Sequence, residues 1–302
     1  MSRIYDALQR ADLERRAAQE PEVAEIHEPF VAPGAEDLPS AKAGLTLENI
    51  ARHPWNPSMA SLPTLTDGGE SIEQFRALRS HLYQFLDQGP LKTILISSGM
   101  PAEGKSFVAA NLAMSLARNE AHRILLIDAD LRGPSLQNML GAPRMPGLTE
   151  YLAGAAEAMD ILQRNQASRN DESGIEVSIP NLTFIPAGAG GEKSSELVAN
   201  HRIEELIATL APHFDWILID SPPVLAFADA IDLARAADAV LLVARGASTP
   251  FDVAQRAQAA FSNARILGFV LNAVKDAPRN TSYYYGYKDG GSYWRKDKRR
   301  QG

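Results

Sequence analysis

Cysteine is absent from this chain of 302 residues, which excludes disulfides and thiolate metal sites. No run approaches about 18 consecutive apolar residues, and no basic-then-apolar leader opens the chain. The expectation is a cytoplasmic protein with no membrane span of its own. Basic residues are outnumbered, 30 Lys and Arg against 37 Asp and Glu, and the net charge of −7 removes the general case for a nucleic-acid partner. Aromatic residues are scarce but unevenly placed: five of the eight tyrosines, Tyr283, Tyr284, Tyr285, Tyr287 and Tyr293, fall in the last twenty residues. Apolar residues are plentiful at 45%, enough for one main domain with a full core and appended ends.

Upstream of the tyrosines lies Gly99-Met100-Pro101-Ala102-Glu103-Gly104-Lys105-Ser106, which matches the phosphate-loop pattern G-x-x-x-x-G-K-S/T. In that pattern backbone N–H groups wrap the phosphates, the lysine reaches the β and γ oxygens, and the serine hydroxyl binds Mg²⁺. The preceding Lys92 to Ser97 is a short β-branched apolar run, and Lys105 to Ala117 carries apolar residues at helical spacing. The loop therefore joins a strand to a helix, and the helix N-terminus adds to the anion site.

Two further apolar runs end in carboxylates, Arg123 to Asp130 with Asp128 and Asp130, and Trp216 to Asp220 followed by Ser221-Pro222-Pro223. Ligand chemistry in an open parallel sheet sits at such strand ends. Side chains alternate along a strand, so Asp128 and Asp130 can project the same way. A lone aspartate at a strand end is equally suited to capping a helix. Three of them accompanying a phosphate loop point to Mg²⁺, which takes oxygen ligands and keeps several waters.

In this order S-S-x-x-P-x-E-G-K-S, D-x-D-x-R and D-S-P-P resemble the Walker A, A′ and B motifs of the bacterial tyrosine kinases that control exopolysaccharide and capsule export. The resemblance runs from about Glu70 to Lys275, with the tyrosine cluster following as it does in that family. It implies an α/β P-loop NTPase fold, ATP and Mg²⁺ as cofactors, and tail tyrosines as acceptors in a neighbouring subunit. Carried over residue by residue, Lys105 binds phosphate, Ser106, Asp130 and Asp220 arrange Mg²⁺ directly or through water, and Asp128 is the base. It also implies a separate transmembrane chain-length regulator, which would hold the protein at the inner membrane. Two residues depart from the family: Ala102 stands where glycine is usual, and Phe107 where threonine is common. The rival class is the deviant P-loop ATPases that partition chromosomes or position septa, whose second lysine follows the first loop glycine, where this chain has Met100. A third reading is a non-catalytic ATP-binding adaptor of an export machine.

Residues 1–18 form an expected amphipathic helix, with Ile4, Tyr5, Leu8 and Ala11 on one stripe, and residues 19–69 a flexible linker rich in Pro, Ala and Glu. The kinase domain is expected over 70–278 and the basic, tyrosine-rich tail over 279–302. Its first helix, Glu70 to Leu86, has a stripe of Ile72, Phe75, Leu78, Leu82 and Phe85. Beside that stripe Glu73, Arg76 and Arg79 spell E-x-x-R-x-x-R, a solvated face with internal ion pairs on spacing alone. In the family this pattern resembles the motif that pairs subunits into a ring. Arg164 to Ser178 is expected to be a polar surface loop, and Ser194 to Leu210 one helix. Further strands at 181–186, 238–244 and 265–271 alternate with helices, giving a mostly parallel central sheet with helices on both faces. Asn272, ending the last strand, is either a turn residue or a contact to adenine.

Overall fold

Strand residues that alternate between two faces divide the core in two. The computed structural model describes residues 47–274 apart from 67, 68, 172, 175, 192 and 193, so the helix expected over 1–18 and the tyrosine tail lie outside the described residues. The described strands are β1 (Ala51–Pro54), β2 (Thr93–Ser98), β3 (Ile124–Asp128), β4 (Gln163–Gln166), β5 (Ser168–Arg169), β6 (Glu176–Val177), β7 (Leu182–Ile185), β8 (Trp216–Asp220), β9 (Ala239–Arg245) and β10 (Ile266–Asn272). Eight of them form one sheet in the order β1-β4-β7-β3-β8-β2-β9-β10, and β5 pairs with β6 alone. From β7 to β10 the sheet is parallel; β4 runs antiparallel to β7 and β1 follows β4. Leu95, Leu125, Ile127, Ile217, Ile219 and Leu242 feed one apolar cluster, and Ile94, Ile96, Ile124, Leu126, Leu218 and Leu241 the other. A sheet buried on both faces reads as unbroken apolar runs, which is what β2, β3 and β8 are.

The helix α1 (Glu70–Leu86) buries Ile72, Phe75 and Leu82 from its expected stripe, and Leu78 and Phe85 pack partly buried beside them. Next, α2 (Lys105–Ala117) is buried nearly all round, from Val108 through Leu116, between the sheet and α1. The short α3 (Leu136–Leu140) and α4 (Leu148–Leu152) follow β3. Then come α5 (Ser194–Val198), α6 (Arg202–Leu210), α7 (Asp229–Leu233) and α8 (Phe251–Ala260).

Three sequence expectations change. The described part of the stretch read as linker, Leu47 to Thr66, is built into the domain: β1 pairs with β4, and Trp55 and Leu62 are buried. Trp55 meets Phe184 edge-on at 6.1 Å, and Thr64 donates to Asn111 of α2 at 2.8 Å. The polar stretch 164–178 holds most of β4 and the β5–β6 pair instead of forming a plain surface loop. In β4 the buried Gln163 donates to the Pro143 carbonyl, and Asn165 accepts the Ile179 N–H, so hydrogen bonds stand in for the apolar alternation that marks most strands. Finally, the single helix expected over 194–210 is two, interrupted at His201, whose φ of 61° no helix accommodates.

If residues 47–66 belong to the domain, Trp55→Ala should cost about 3–5 kcal/mol, the range for deleting a large buried aromatic. Urea unfolding measures this. A loss below about 1 kcal/mol would mean that the segment is only loosely attached.

Candidate active site

The three motif strands are neighbours at the centre of the sheet, with β8 between β3 and β2. Asp128 and Asp220 are register partners at the ends of β3 and β8, and the phosphate loop rises from the end of β2. Two loop residues hold left-handed backbone, Ala102 at φ 62° and Gly104 at φ 91°. The alanine adopts a conformation that glycine takes freely, at a cost on the order of 1 kcal/mol. Gly104 is required twice over, because a Cβ there would stand 1.9 Å from the Asn272 amide nitrogen. Phe107, the other departure from the family pattern, packs its ring 5.9 Å from that of Phe75 and so joins α2 to α1.

Lys105 Nζ pairs with Asp130 Oδ2 at 2.7 Å. Burial pulls the lysine pKa down, but the charges of Asp220, Asp130 and Asp128 outweigh it and raise it above the ordinary value. The other Asp130 oxygen accepts the Gly133 N–H at 3.0 Å, so both are engaged. Asp128 is fully buried, and its Oδ2 accepts the N–H groups of Ser135 and Leu136 at the start of α3. It is thus a helix cap as well as a member of the cluster. Among the described residues its Oδ1 and both oxygens of the fully buried Asp220 accept no hydrogen bond of good geometry, the Ser106 hydroxyl lying beside Asp220. Burial and the facing Asp220 push the Asp128 pKa well up, against the two backbone hydrogen bonds. Burial likewise lifts Asp220 to about 7, opposed by Lys105 and the adjacent Ser106 hydroxyl.

Three unpartnered carboxylate oxygens beside a serine hydroxyl and the phosphate loop fit a divalent cation, since buried acceptors are almost always satisfied. Among the described residues no set of three acidic or histidine side chains closes around one point. The open atoms favour Ser106 and Asp220 as direct ligands. Asp130, engaged by Lys105 and Gly133, is placed to act through those contacts.

Several residues of the motif blocks, given no chemical role by the sequence, also take part. Arg132 donates to Asp229 at 3.1 Å and lies 4.4 Å over the Phe227 ring, tying the A′ motif to the loop after β8. Ser97 and Ser221 link β2 to the D-S-P-P block through the Pro222 and Ile96 carbonyls. Glu103 of the loop is buried and accepts the Met100 N–H at 2.8 Å, while the Met100 side chain is exposed. Asn272 donates to the Glu103 carbonyl at 3.0 Å and accepts the Ala273 N–H. It therefore braces the loop and makes a local turn. On α1, Glu73 and Arg76 form an exposed 3.0 Å pair, whereas Arg79 donates to the Ser115 carbonyl of α2 at 2.5 Å. The three motif residues are not equivalent: two are open to a partner, and the third is held by its own chain.

Asp220 gives a pH test with a definite sign. Its folded pKa of about 7 lies above the ordinary 3.8, so the folded state holds the extra proton between those values. The favourable contribution is complete below the lower value and is lost as pH rises through the upper one. In metal- and nucleotide-free protein, Asp220→Asn should therefore be more stable than the native chain at about pH 8, with the gain shrinking towards about pH 4. Urea midpoints across that range measure it, and a pH-independent difference would show that Asp220 is not desolvated as described.

Residues 91–292 match the ParA family, described as NUBPL iron-transfer P-loop NTPase. The chain is 32% identical over 219 residues to the tyrosine-protein kinase YwqD of Bacillus subtilis, covering 72% of this chain and 87% of that protein. It is 32% identical over 220 residues to the tyrosine-protein kinase Wzc of Salmonella typhimurium, covering 72% of this chain but only 28% of the other. Among solved structures, the kinase domain of the Escherichia coli tyrosine kinase ETK superposes with a TM-score of 0.63 at 28% identity, covering 80% of this chain and 89% of that one. The first curated relatives matched are much longer proteins, of which this chain spans about 28%. The central three-motif sheet and these likenesses together show that the chain belongs to the bacterial tyrosine kinase family, with a ParA-like P-loop NTPase fold.

Proposed function

We propose that this chain is an ATP-dependent protein-tyrosine autokinase whose acceptors are Tyr283, Tyr284, Tyr285, Tyr287 and Tyr293 of a neighbouring subunit. The observation that carries the reading is the buried cluster of Lys105, Asp130, Asp128 and Asp220 at the phosphate loop, with three carboxylate oxygens left unpartnered. Its support from relatives is that several are named tyrosine-protein kinases.

MgATP, when bound, supplies the transferable γ-phosphoryl group and a divalent charge. Lys105, fixed by Asp130, would offset negative charge on the phosphates, and Ser106 with Asp220 would hold the cation. Among the described residues one Asp128 oxygen accepts no hydrogen bond, which leaves it open to take the proton of a tyrosine hydroxyl once a bound cation has displaced the proton of the empty site. In the transfer the tyrosine O–H bond would break, the new O–P bond would form as the bond from the γ-phosphorus to the β–γ bridging oxygen breaks, and ADP would leave. Most of the rate comes from alignment and charge neutralisation, as is general for phosphoryl transfer.

Glu73 and Arg76, exposed on α1, are the proposed contact that assembles subunits into a ring and presents each tail to the next site. Among the described residues no helix is long and apolar enough to cross a membrane. The family resemblance supports a role in exopolysaccharide or capsule production. There a separate transmembrane chain-length regulator would activate the kinase and hold it on the cytoplasmic side of the inner membrane.

Incubation with Mg²⁺ and ATP followed by mass spectrometry of the 279–302 peptide tests the autokinase. Phosphate on the tail tyrosines should be present in the native chain and absent in Lys105→Met. A tail that stays unmodified, even with the cytoplasmic tail of a candidate activator added, would favour the ATP-binding adaptor. For the ring, Glu73→Ala with Arg76→Ala should reduce the oligomer mass by light scattering and slow tail phosphorylation; unchanged mass would remove this helix from the interface.

A further inference from the structure

Among the described residues four that are not glycine hold left-handed backbone, and three of them, Ala102 at φ 62°, Ala247 at φ 55° and Ala273 at φ 54°, lie in separate segments that meet at the phosphate loop. The segments are the loop itself, the turn between β9 and α8, and the end of β10. Such strain persists only where surrounding contacts over-determine it, and it gathers at functional sites.

The contacts are on hand, and they close a circuit. The Thr249 hydroxyl donates to Glu103 Oε1, and the Thr249 hydroxyl oxygen accepts the Arg245 N–H at 2.8 Å. Arg245 reaches back to the Ala102 carbonyl at 3.3 Å. Asn272 donates from its amide to the Glu103 carbonyl at 3.0 Å, and its own carbonyl accepts the Gly246 N–H at 2.7 Å. The Asn272 amide fills the space above Gly104 that a side chain would take. Glu103 is the centre of this circuit, only 4% exposed, with its second oxygen on the Met100 N–H. A carboxylate inside a loop that receives polyphosphate is electrostatically adverse, so its presence needs a geometric reason. The bond to Met100 also means that this N–H is turned into the loop's own frame and is not among those left for phosphate.

We propose that Glu103, Thr249 and Asn272 are positioning residues that lock the phosphate loop in the shape that takes nucleotide and tie that shape to the end of β10. Its purpose rests on the autokinase reading, but its direct effect is on ATP binding and is measured without phosphoryl transfer. Thr249→Val keeps the shape of the side chain and removes both hydrogen bonds of the hydroxyl; Thr249→Ser keeps the hydroxyl.

Titration of folded protein with a fluorescent ATP analogue in Mg²⁺ is the test, with thermal melts run in parallel. Thr249→Val should weaken binding about tenfold, the equivalent of one to two buried hydrogen bonds, and Thr249→Ser should restore it to within about twofold. Asn272→Ala should weaken it similarly. A purely structural role would lower the melting temperature and leave the affinity of the folded protein unchanged. Native-like affinity in folded Thr249→Val overturns the proposal; should that variant not fold, the same result for Asn272→Ala overturns it. Native protein that binds ATP and never modifies its tail would defeat the autokinase reading alone, and the comparison of variants would still decide the brace.

Discussion

Lys105, at the start of α2, pairs with Asp130 and has Asp128 and Asp220 close by, the aspartates lying at the ends of strands whose both faces are buried. One ammonium among three carboxylates leaves two negative charges too many for an apolar interior. Without a cation the protein relieves them with protons, which is why burial pushes Asp128 and Asp220 upward. A divalent ion would relieve them instead and drive those protons off. The same imbalance that destabilises the empty site thus makes it a receptor for metal and nucleotide together.

That arrangement depends on the sheet. Parallel strands buried on two sides bring β3, β8 and β2 side by side, and their ends coincide, so Asp128 and Asp130 of one segment and the sequence-distant Asp220 face one phosphate loop. Strain is accepted around the loop at Ala102, Ala247 and Ala273, and hydrogen bonds from the β9 and β10 ends hold it there. The loop is therefore supported from both sides, by the A′ and B strands through Lys105 and by the β9–β10 edge through Glu103.

Legibility in the sequence followed apolar patterning. The strands β2, β3, β7, β8 and β9 and the helices α1 and α2 announce themselves by continuous or stripe-like hydrophobicity, and the phosphate loop and aspartates by motif. β1 and β4 were missed because Ala-Arg-His-Pro and Gln-Arg-Asn-Gln have no apolar alternation; polar pairing and the Trp55 anchor order them. The break at His201 has no proline or glycine to mark it. At the site, Lys105, Ser106 and the three aspartates were readable, but the engagement of both Asp130 oxygens and the capping by Asp128 depend on backbone N–H groups. Asn272 is legible as a strand-end residue but not as a brace of the loop, and Thr249 carries no signal, since both reach the loop from more than 140 positions along the chain.

The charge imbalance at Lys105 is tested most directly by calorimetric titration of ATP into the Lys105→Met variant and the native chain, each with and without Mg²⁺. The account predicts that the native chain binds ATP tightly only with Mg²⁺, that binding with Mg²⁺ releases protons at pH 7, and that Lys105→Met loses most of the affinity. Equal affinity in the presence and absence of Mg²⁺, with no proton release, would contradict it.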